Sequence, residues 1–372
     1  MGVVNVVQTR EVNLSLLTVS RATTRDLAEW DDFNYSKPIG TIYHSNPWVR
    51  IHQRTLNYRV IQLVAREEGK LVGLFPFRIR DRTPRRILGM GISGVIGEVV
   101  SPLGEMENPY GGPVCDGDRP DVLRSLLKAS MKLCGALGSF TIKFSPSFAE
   151  NVDDPRVLQF RGSTVKTRET ILIGLEPTID QIKAGFRRDV TRAVRKAESL
   201  GVRVEEASSE SALDAYHRIL TATYGRAGFA PYPKDFYLNV FKSFSPRQQT
   251  SLLLAMYQDR PIAGAFWLRD RTNAYYWTGG ALREFQRAYP STLLQTKMIE
   301  KAKLAGLRVY DLTGIDWYRF PGISLFKAGF GGQVCRFPAI RGRPFSSRMV
   351  GGLLNRLSTR LSTRLGVRFS DP

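Results

Sequence analysis

A single lysine interrupts an apolar segment near the end of the chain. Lys327 lies within "FPGISLFKAGFGGQV", Phe320 to Val334, where the neighbouring residues are mainly apolar or glycine. An apolar run that ends in glycines is typical of a core strand followed by a turn. A lysine in such a run usually carries its ammonium to the surface on an apolar stem. Its position therefore raises the question of whether the charge has another role.

A second group of cations lies near the middle of the chain, in "FRRDVTRAVRKAESLGV". Its basic residues lie three or four positions apart, which places them on one face of a helix: Arg188, Arg192, Arg195 and Lys196. Apolar residues recur on another face and predict a buried stripe: Val190, Val194 and Ala197. Only Asp189 and Glu198 balance this charge. The pattern fits an anion-binding ridge or a solvated helix face.

The sequence contains few residues that could bind a metal ion or form a catalytic triad. The chain contains three histidines and three cysteines. Cys115, Cys134 and Cys335 have no metal-ligand spacing, and an odd count argues against a disulfide framework. We therefore expect no metal site, and a Ser-His-Asp triad is poorly supported.

The overall charge suggests a negatively charged partner. Hydrophobic residues make up 42% of the 372-residue chain and charged residues 24%, which is an ordinary globular balance. The formal net charge is +20. Such an excess favours RNA, an anionic membrane surface or a phosphate-rich substrate, although a generally basic proteome would give the same value.

The beginning of the sequence lacks the pattern of a signal peptide, because no basic region precedes an apolar run. The longest uncharged stretch, Ile87 to Gly97, is too short to span a bilayer. We expect a cytoplasmic protein that could also work at the inner membrane face.

The final segment, residues 341–372, contains seven arginines and one acid, Asp371. Its leucines recur every four residues: Leu353, Leu357, Leu361 and Leu365. A basic amphipathic helix over residues 346–368 could lie on an anionic membrane. A solvated tail fits the same pattern.

Strand and helix signals alternate along the chain and predict an α/β (α+β) protein. A hairpin, a Gly-Gly segment, a Pro-led helix and a strand occur in this order twice, with "LVGLFPF" and "IAGAFWL" in equivalent places. This weak self-similarity predicts a duplicated unit. We assign one domain to residues 1–175, a second to 176–340, and the basic tail to 341–372. One large mixed sheet is the alternative.

Several of these segments carry a family resemblance. The motifs "HSNPW", "LVGLFPF", "NPYGGPV", "FRRDVTRAVRKAESLGV", "YDLTGI" and "PGISLFKAGFGG" occur in this order between residues 25 and 340. The sequence resembles FemAB-like proteins of the GNAT acyltransferase superfamily, near the CelD-like branch. The resemblance implies two tandem GNAT-like domains, each a mixed and mainly antiparallel sheet flanked by helices.

The resemblance also implies an enzyme that transfers an acyl group to an amine. Well-known FemAB-like members use aminoacyl-tRNA and a peptidoglycan precursor, so the acceptor here would be an amine on a phosphate-bearing cell-wall or lipid-linked glycan precursor. CelD-like relatives imply acyl-CoA and exopolysaccharide synthesis instead. In either case no tightly bound cofactor is implied. A non-enzymatic RNA- or membrane-binding protein on a GNAT scaffold is a third possibility.

Some site residues follow from the same likeness, and others from residue type and position alone. Lys327 would face the reacting carbonyl or the donor phosphates, and a cation there would stabilise an oxyanion. Asp316, like Asp311, could orient the amine or accept its proton, or could cap a strand end. Further substrate contacts are expected from Trp48, Tyr110, Arg188, Arg192, Tyr276, Gly279, Gly280, Gln286, Tyr318 and Arg319.

Two segments bear on the donor and on access to the site. In GNAT folds a splayed strand provides backbone donors, and the resemblance implies that Ala274 to Phe285 is this strand. Its paired glycines would let backbone approach substrate closely. A simple turn at Gly279 and Gly280 is the alternative. GNAT enzymes commonly carry Q/R-x-x-G-x-G/A before a helix. Here "QRAYPS" places Tyr289 and Pro290 there, and proline lacks an N–H for phosphate. This counts against ordinary acetyl-CoA binding.

The segment Tyr224 to Tyr237 is expected to form a loop over the cleft.

The tRNA interpretation has one gap in the same region. Well-known tRNA-dependent members often insert a long coiled-coil arm in the second domain, and Tyr216 to Thr250 shows no heptad hairpin of that length. The net charge of +20 suits RNA. The sequence therefore leaves the choice between aminoacyl-tRNA and acyl-CoA open.

Overall fold

The computed structural model describes residues 17–81, 97–104, 109–134, 138–152, 155–207 and 209–343. The half before residue 176 contains β1 Leu17–Arg21, α1 Thr24–Ser36, α2 Asn46–Leu56, β2 Val60–Glu67, β3 Lys70–Asp81, β4 Gly97–Ser101, β5 Val114–Cys115, α3 Pro120–Lys132, β6 Ser139–Lys143, α4 Pro146–Asn151 and β7 Ser163–Gly174. The other half contains α5 Ile179–Ala184, α6 Arg188–Ser199, β8 Arg203–Ala207, α7 Glu210–Arg226, α8 Lys234–Phe244, β9 Thr250–Tyr257, β10 Arg260–Arg269, β11 Asn273–Ala281, α9 Pro290–Leu304, β12 Val309–Asp311, α10 Pro321–Ala328 and β13 Gln333–Gly342.

The strands of the described residues form one 13-stranded sheet. Its order is β1-β2-β3-β4-β6-β13-β7-β12-β11-β10-β9-β8, with β5 paired to β3. In each half the first strands pair antiparallel, and the last pair, β4–β6 or β11–β12, is parallel. The mixed sheet flanked by helices confirms the predicted fold class. The two halves therefore repeat one strand order about the centre of one continuous sheet.

The halves exchange their last strands at that centre. β7 pairs antiparallel with β12, and β13 pairs antiparallel with β6. β7 and β13 also pair with each other over the whole length of β13. β13 continues to Gly342, so it includes the first two residues of the predicted tail. The sheet thus crosses the boundary proposed at residues 175 and 176 without a break.

Local sequence signals explain many of the element ends. Thr23 forms a capping box with Asp26 at the start of α1, and Ser45 caps α2 ahead of Pro47. The predicted hairpin turns are present: Glu68 and Gly69 adopt positive φ between β2 and β3. Gln258 and Asp259 do the same between β9 and β10, which matches the twist that tight hairpins favour.

The buried apolar residues form three clusters: one mainly in each half, and a third that contains residues of both. The third cluster contains Trp48 and Tyr110 from the first half, and Phe236, Tyr275 and Trp277 from the second. The Trp48 and Trp277 rings meet edge to face with centroids 5.6 Å apart. Because these aromatic rings interlock across the two halves, the halves share part of one core.

Two local predictions require correction. The segment with Lys327 is the helix α10 and not a strand, because Pro321 starts a helix and the paired positive-φ glycines, Gly331 and Gly332, follow its end. In α6 the buried stripe is Val190, Ala193 and Ala197. Val194 is only partly buried and faces a groove.

No helix among the described residues has both the length and the apolar character needed to cross a membrane. The predicted amphipathic helix over residues 346–368 lies outside the described residues, so it stays a prediction.

Candidate active site

The parallel strands β11 and β12 separate at the centre of the second half. Their pairing covers only Asn273, Ala274 and Tyr275 on β11. After Asp311 the chain continues along β7, where the Leu312 N–H donates to the carbonyl of Ile171. β11 meanwhile continues along β10 to Ala281. The sheet therefore opens between Tyr276 and the segment that follows Asp311, as the predicted splay requires.

A β-bulge lies at this opening. Thr278 pairs with Phe266, but Tyr276 pairs with Trp267, so Trp277 is an extra residue on β11. Bulges are common beside active sites because they redirect side chains and interrupt pairing.

The two glycines of β11 lie in the strand and not in a turn. A Cβ on Gly279 would lie 2.6 Å from the Tyr276 hydroxyl, and one on Gly280 would lie 2.6 Å from Thr223 Oγ1. Both positions therefore need glycine because neighbouring atoms occupy the space of a side chain.

We expect Gly280→Ala to lower the free energy of unfolding by about 1–3 kcal/mol, because the new methyl group overlaps Thr223 on α7. Denaturant unfolding would measure this change. Gly225→Ala is the matched control, since it lies in helix α7 and a Cβ added there would have no atom within 4 Å. An unchanged stability of Gly280→Ala would contradict the predicted overlap.

Lys327 points into the opening from α10. Only 6% of its surface is exposed. Its Nζ donates to the carbonyl oxygens of Thr313 and Gly314, the second at 2.8 Å, and lies 5.7 Å from the centre of the Tyr276 ring. An ammonium has three N–H donors. The lysine therefore does not extend to the surface, and its third N–H has no hydrogen-bond acceptor among the described residues.

The carbonyls that hold Lys327 lie in an unusual turn. Thr313 and Gly314 both adopt left-handed φ, 49° and 53°. A β-branched residue rarely adopts such a φ, and strained backbone of this kind concentrates at functional sites. The Thr313 hydroxyl also donates to the carbonyl of Tyr276 across the opening. This turn therefore both binds the ammonium and connects the two diverging strands.

Burial changes the pKa values of Lys327 and Tyr276. Burial lowers the pKa of Lys327 to about 8, although the nearby Asp311 carboxylate acts in the opposite direction. Burial also raises the pKa of Tyr276 to about 12, so its hydroxyl stays protonated at neutral pH. The lysine therefore carries its charge at neutral pH and loses it on mild alkalinisation.

Asp311 is a buried acceptor beside this site. Its carboxylate accepts hydrogen bonds from the Tyr110 hydroxyl at 2.6 Å, the Thr170 hydroxyl at 2.6 Å and the Thr313 N–H at 2.7 Å. Burial raises its pKa against the effect of these bonds. Asp311 joins β12 to the first half of the chain and to the turn that holds Lys327.

Asp316 caps the turn that leads into α10. Its Oδ1 accepts from the N–H groups of Tyr318 and Arg319, and its own N–H donates to Ser324 Oγ. These contacts agree with the capping alternative, and the catalytic role of Asp316 stays a prediction. The Tyr318 side chain is 98% exposed, and Arg319 lies over the Phe320 ring. These residues are at the outer rim of the opening.

The expected loop over the cleft is shorter than predicted. Tyr224 and Tyr237 lie in α7 and α8, so only residues 227–233 form a loop. The Phe229 ring lies 6.3 Å from the Phe320 ring. The loop thus reaches the start of the helix that carries Lys327.

Trp48 and Tyr110 are wholly buried, which corrects their predicted contact with substrate. Neither side chain has any exposed surface. Trp48 packs among aromatic rings of both halves, and Tyr110 donates to Asp311. Both residues belong to the core that supports the site.

Arg188 and Arg192 lie in a different place from Lys327. They line a groove of about 800 Å³ between α5, α6 and α9. The start of α6 contacts the segment of Lys327 in two ways. The Phe186 ring packs on Phe330, which lies three residues after Lys327, and the Arg187 N–H donates to the carbonyl of Gly329. The structure therefore divides the predicted contacts between two sites.

Comparison with known proteins agrees with this geometry. Residues 184–320 match the model of an acetyltransferase (GNAT) domain. The solved structure of FemX is similar over 86% of this chain and 96% of its own, with a TM-score of 0.63 and 15% identity. A tandem GNAT protein from the clavulanic acid biosynthesis pathway is similar over 88% and 98%, with a TM-score of 0.52 and 12% identity. The chain has a FemX-like tandem GNAT fold.

A third solved structure has the same tandem fold. It is the C-terminal domain assigned to a lysylphosphatidylglycerol synthetase from Agrobacterium fabrum, with a TM-score of 0.56, 12% identity, and coverage of 88% of this chain and 95% of that one. No curated protein matches the sequence significantly. At these identities the similarity concerns the fold alone.

Within the GNAT domain, the turn before α9 lacks the glycine of the Q/R-x-x-G-x-G/A motif. Its backbone nevertheless adopts the conformation that such a glycine favours. Gln286 is exposed in the 3₁₀ helix Arg283–Ala288, and its carbonyl accepts from the Tyr289 N–H. Tyr289 takes the place of the motif's glycine and adopts a φ of 53°. The turn therefore keeps a conformation that glycine favours, while Pro290 still removes one N–H donor.

The sequence interpretation missed Thr313, Gly314 and Thr170 as parts of the site. The Thr313 and Gly314 carbonyls and the Thr170 hydroxyl act through contacts made by the fold. The "LTG" triplet after a strand is a turn signal, but it carries no indication that its carbonyls would bind an ammonium.

Proposed function

We propose that this protein is an N-acyltransferase of the FemAB-like type. It transfers an aminoacyl or acyl group to an amine of a cell-wall or lipid-linked glycan precursor. The observation that supports this most is the Lys327 ammonium, which lies in the opening between β11 and β12 with one N–H unpartnered among the described residues.

The reaction requires little besides positioning and charge stabilisation. A neutral amine attacks the carbonyl carbon of an activated ester or thioester, and the carbonyl oxygen becomes an oxyanion. The bond to the leaving oxygen or sulfur then breaks, and the leaving group takes up the proton that the amine loses and departs as an alcohol or thiol. Lys327 donates its remaining N–H to the oxyanion, and Thr313 and Gly314 hold the ammonium in place. Gly279 keeps the β11 backbone close to the Tyr276 hydroxyl, because a side chain at this position would overlap that group.

Acyl-CoA is the second candidate donor besides aminoacyl-tRNA. The GNAT acetyltransferase match over residues 184–320 and the retained backbone of the turn at Tyr289 favour it. Pro290 counts against it, because one phosphate-binding N–H is absent. The net charge of +20 favours the RNA donor.

Mass spectrometry of an amine-bearing precursor tests the proposal and separates the donors. The precursor is incubated with the protein and either charged tRNA or acyl-CoA. A mass increase equal to the acyl group, with one donor only, supports the function and identifies the donor. No increase with either donor, across peptide and amino-sugar acceptors, would favour a binding-only role.

The pH dependence of transfer gives a further test. Because the pKa of Lys327 is about 8, we expect the rate to fall as the pH rises through about 8 and the ammonium is lost. Deprotonation of the acceptor amine raises the rate on the acid side, so the profile is bell-shaped. In Lys327→Arg the alkaline limb should disappear, because a guanidinium stays charged. An alkaline limb that persists in this variant would show that another group titrates.

A further inference from the structure

The helix α10 exposes apolar residues and buries polar ones, which is the reverse of an ordinary surface helix. Ile323 and Leu325 expose 53% and 52% of their surface. Ser324 is wholly buried, and Lys327, the single charged residue of the helix, is 6% exposed. A helix on the surface of a soluble protein normally turns its apolar stripe inward and its polar face outward. The inverted pattern indicates that the outer face of α10 contacts something other than water.

The apolar surface continues beyond both ends of α10. Trp317 and Tyr318, in the turn before the helix, are 42% and 98% exposed, and Val334, near the start of β13, is 51% exposed. Among the described residues, five of the nine exposed large hydrophobic side chains therefore lie within residues 317–334. We call this surface the α10 face, and it consists of Trp317, Tyr318, Ile323, Leu325 and Val334.

Cations outnumber acids around the α10 face. A shallow pocket of about 450 Å³ lies beside Trp317 and Tyr318 and is also lined by Arg168 and Arg336. The face and this pocket together contain four cations, Arg168, Arg319, Lys327 and Arg336, and two acids, Glu169 and Asp316. The whole chain carries a formal charge of +20. The α10 face is therefore apolar at its centre and attracts anions at its edge.

The buried side of the same helix belongs to the candidate active site. Lys327 points from it into the opening between β11 and β12, and the Asp316 N–H donates to Ser324 Oγ at 3.1 Å, which holds the turn against the helix. A helix with its side chains is about 10 Å thick. A surface in contact with the α10 face would therefore lie within roughly one helix diameter of the opening.

We propose that the α10 face docks on an anionic lipid bilayer. Exposed tryptophan, tyrosine and aliphatic side chains with arginines at the edge are typical of contacts at a membrane interface. A second copy of the chain fits this face less well, because a twofold interface would place the same cations opposite each other. The proposal rests on the proposed function in one respect, since a lipid-linked acceptor would be held in that bilayer, close to Lys327.

Tryptophan fluorescence tests this contact directly. The chain has five tryptophans, and all but Trp317 are buried. The full chain is mixed with vesicles of phosphatidylglycerol and phosphatidylcholine, without acyl donor or acceptor. We expect the emission to shift to shorter wavelength and lipids with brominated acyl chains to quench it, because Trp317 enters an apolar environment. Vesicles of phosphatidylcholine alone should bind at least tenfold more weakly. Residues 346–368 contain no tryptophan, so the signal does not come from the predicted tail helix.

Gly322 allows the charge of the face to be changed without a steric clash, because a Cβ there would meet no atom within 4 Å. Cosedimentation with the anionic vesicles should show Gly322→Glu binding about tenfold or more weakly than Gly322→Lys, since the two variants differ by two charges at one position. Leu304→Ser is the matched control. It removes a leucine that is 87% exposed at the end of α9, outside the α10 face, and should change the affinity by less than about twofold.

The outcomes separate the α10 face from other surfaces and from the proposed function. Sedimentation with vesicles but no quenching, or equal binding by Gly322→Glu and Gly322→Lys, would overturn the docking surface. A dimer that Gly322→Glu dissociates, with no vesicle binding, would assign the face to a second copy. Vesicle binding without transfer to any acceptor would support the surface and count against the proposed function. Transfer to a water-soluble acceptor without vesicle binding would overturn the surface and leave that function standing.

Discussion

Lys327→Met is expected to reduce the rate of acyl transfer by about 10²–10³-fold, the usual effect of removing one oxyanion donor. Methionine fills nearly the same volume but cannot donate to an oxyanion. Steady-state rates with the donor found by mass spectrometry would give kcat and KM separately. The loss should be in kcat, because the interaction forms as the oxyanion develops.

The fold should survive this substitution. In the wild type, burial lowers the pKa of Lys327 from 10.5 to about 8. The unfolded chain therefore binds this proton more tightly than the folded chain. As a result, the free energy of unfolding rises with pH between about 8 and 10.5. Lys327→Met removes this slope, which denaturant unfolding at several pH values would measure. Unchanged turnover would refute the catalytic role. A variant that fails to fold would instead give Lys327 a structural role, and Lys327→Arg would then test whether charge alone restores the rate.

Sequence patterns predicted the elements well where local signals are strong. The capping residues Thr23 and Ser45, and the hairpin turns at Glu67 to Lys70 and Gln258 to Arg260, depend on neighbours in the sequence. The exchange of β7 and β13 depends on pairing between residues far apart, such as Thr170 with Cys335. Short-range patterns carry no information about such partners, so the single sheet could only be weighed as an alternative.

The candidate site was likewise predictable where the signal is local in the sequence, and not where it depends on contacts made by the fold. Lys327 stands out because a charge interrupts an apolar run, and the structure buries it at the splayed strands. Trp48 and Tyr110 were expected to contact substrate, but they lie in the core that the two halves share. The sequence of a motif does not show whether its aromatic residues face the core or the substrate. Arg188 and Arg192 have the right spacing for a ridge, yet only the fold shows that α9 closes it into a groove.

Asp311→Ala is expected to lower the free energy of unfolding by about 3–5 kcal/mol, because breaking a buried charged network leaves its donors unsatisfied. The Tyr110 hydroxyl, the Thr170 hydroxyl and the Thr313 N–H would all lose their acceptor. Chemical denaturation would measure the change. Asp311→Asn keeps an acceptor oxygen and should lose less.

The pH dependence of the transfer rate distinguishes Asp311 from a buried acceptor that does not affect the pKa of Lys327. Its carboxylate raises the pKa of Lys327 against burial. In Asp311→Asn the ammonium should therefore lose its proton at lower pH, and the alkaline limb of the rate profile should move below about 8. Asp270 is the matched control: it is also buried and accepts from Tyr275 and from two backbone N–H groups. Asp270→Asn should change stability without moving that limb. If both variants leave the limb in place, Asp311 supports the fold but does not set the charge of Lys327.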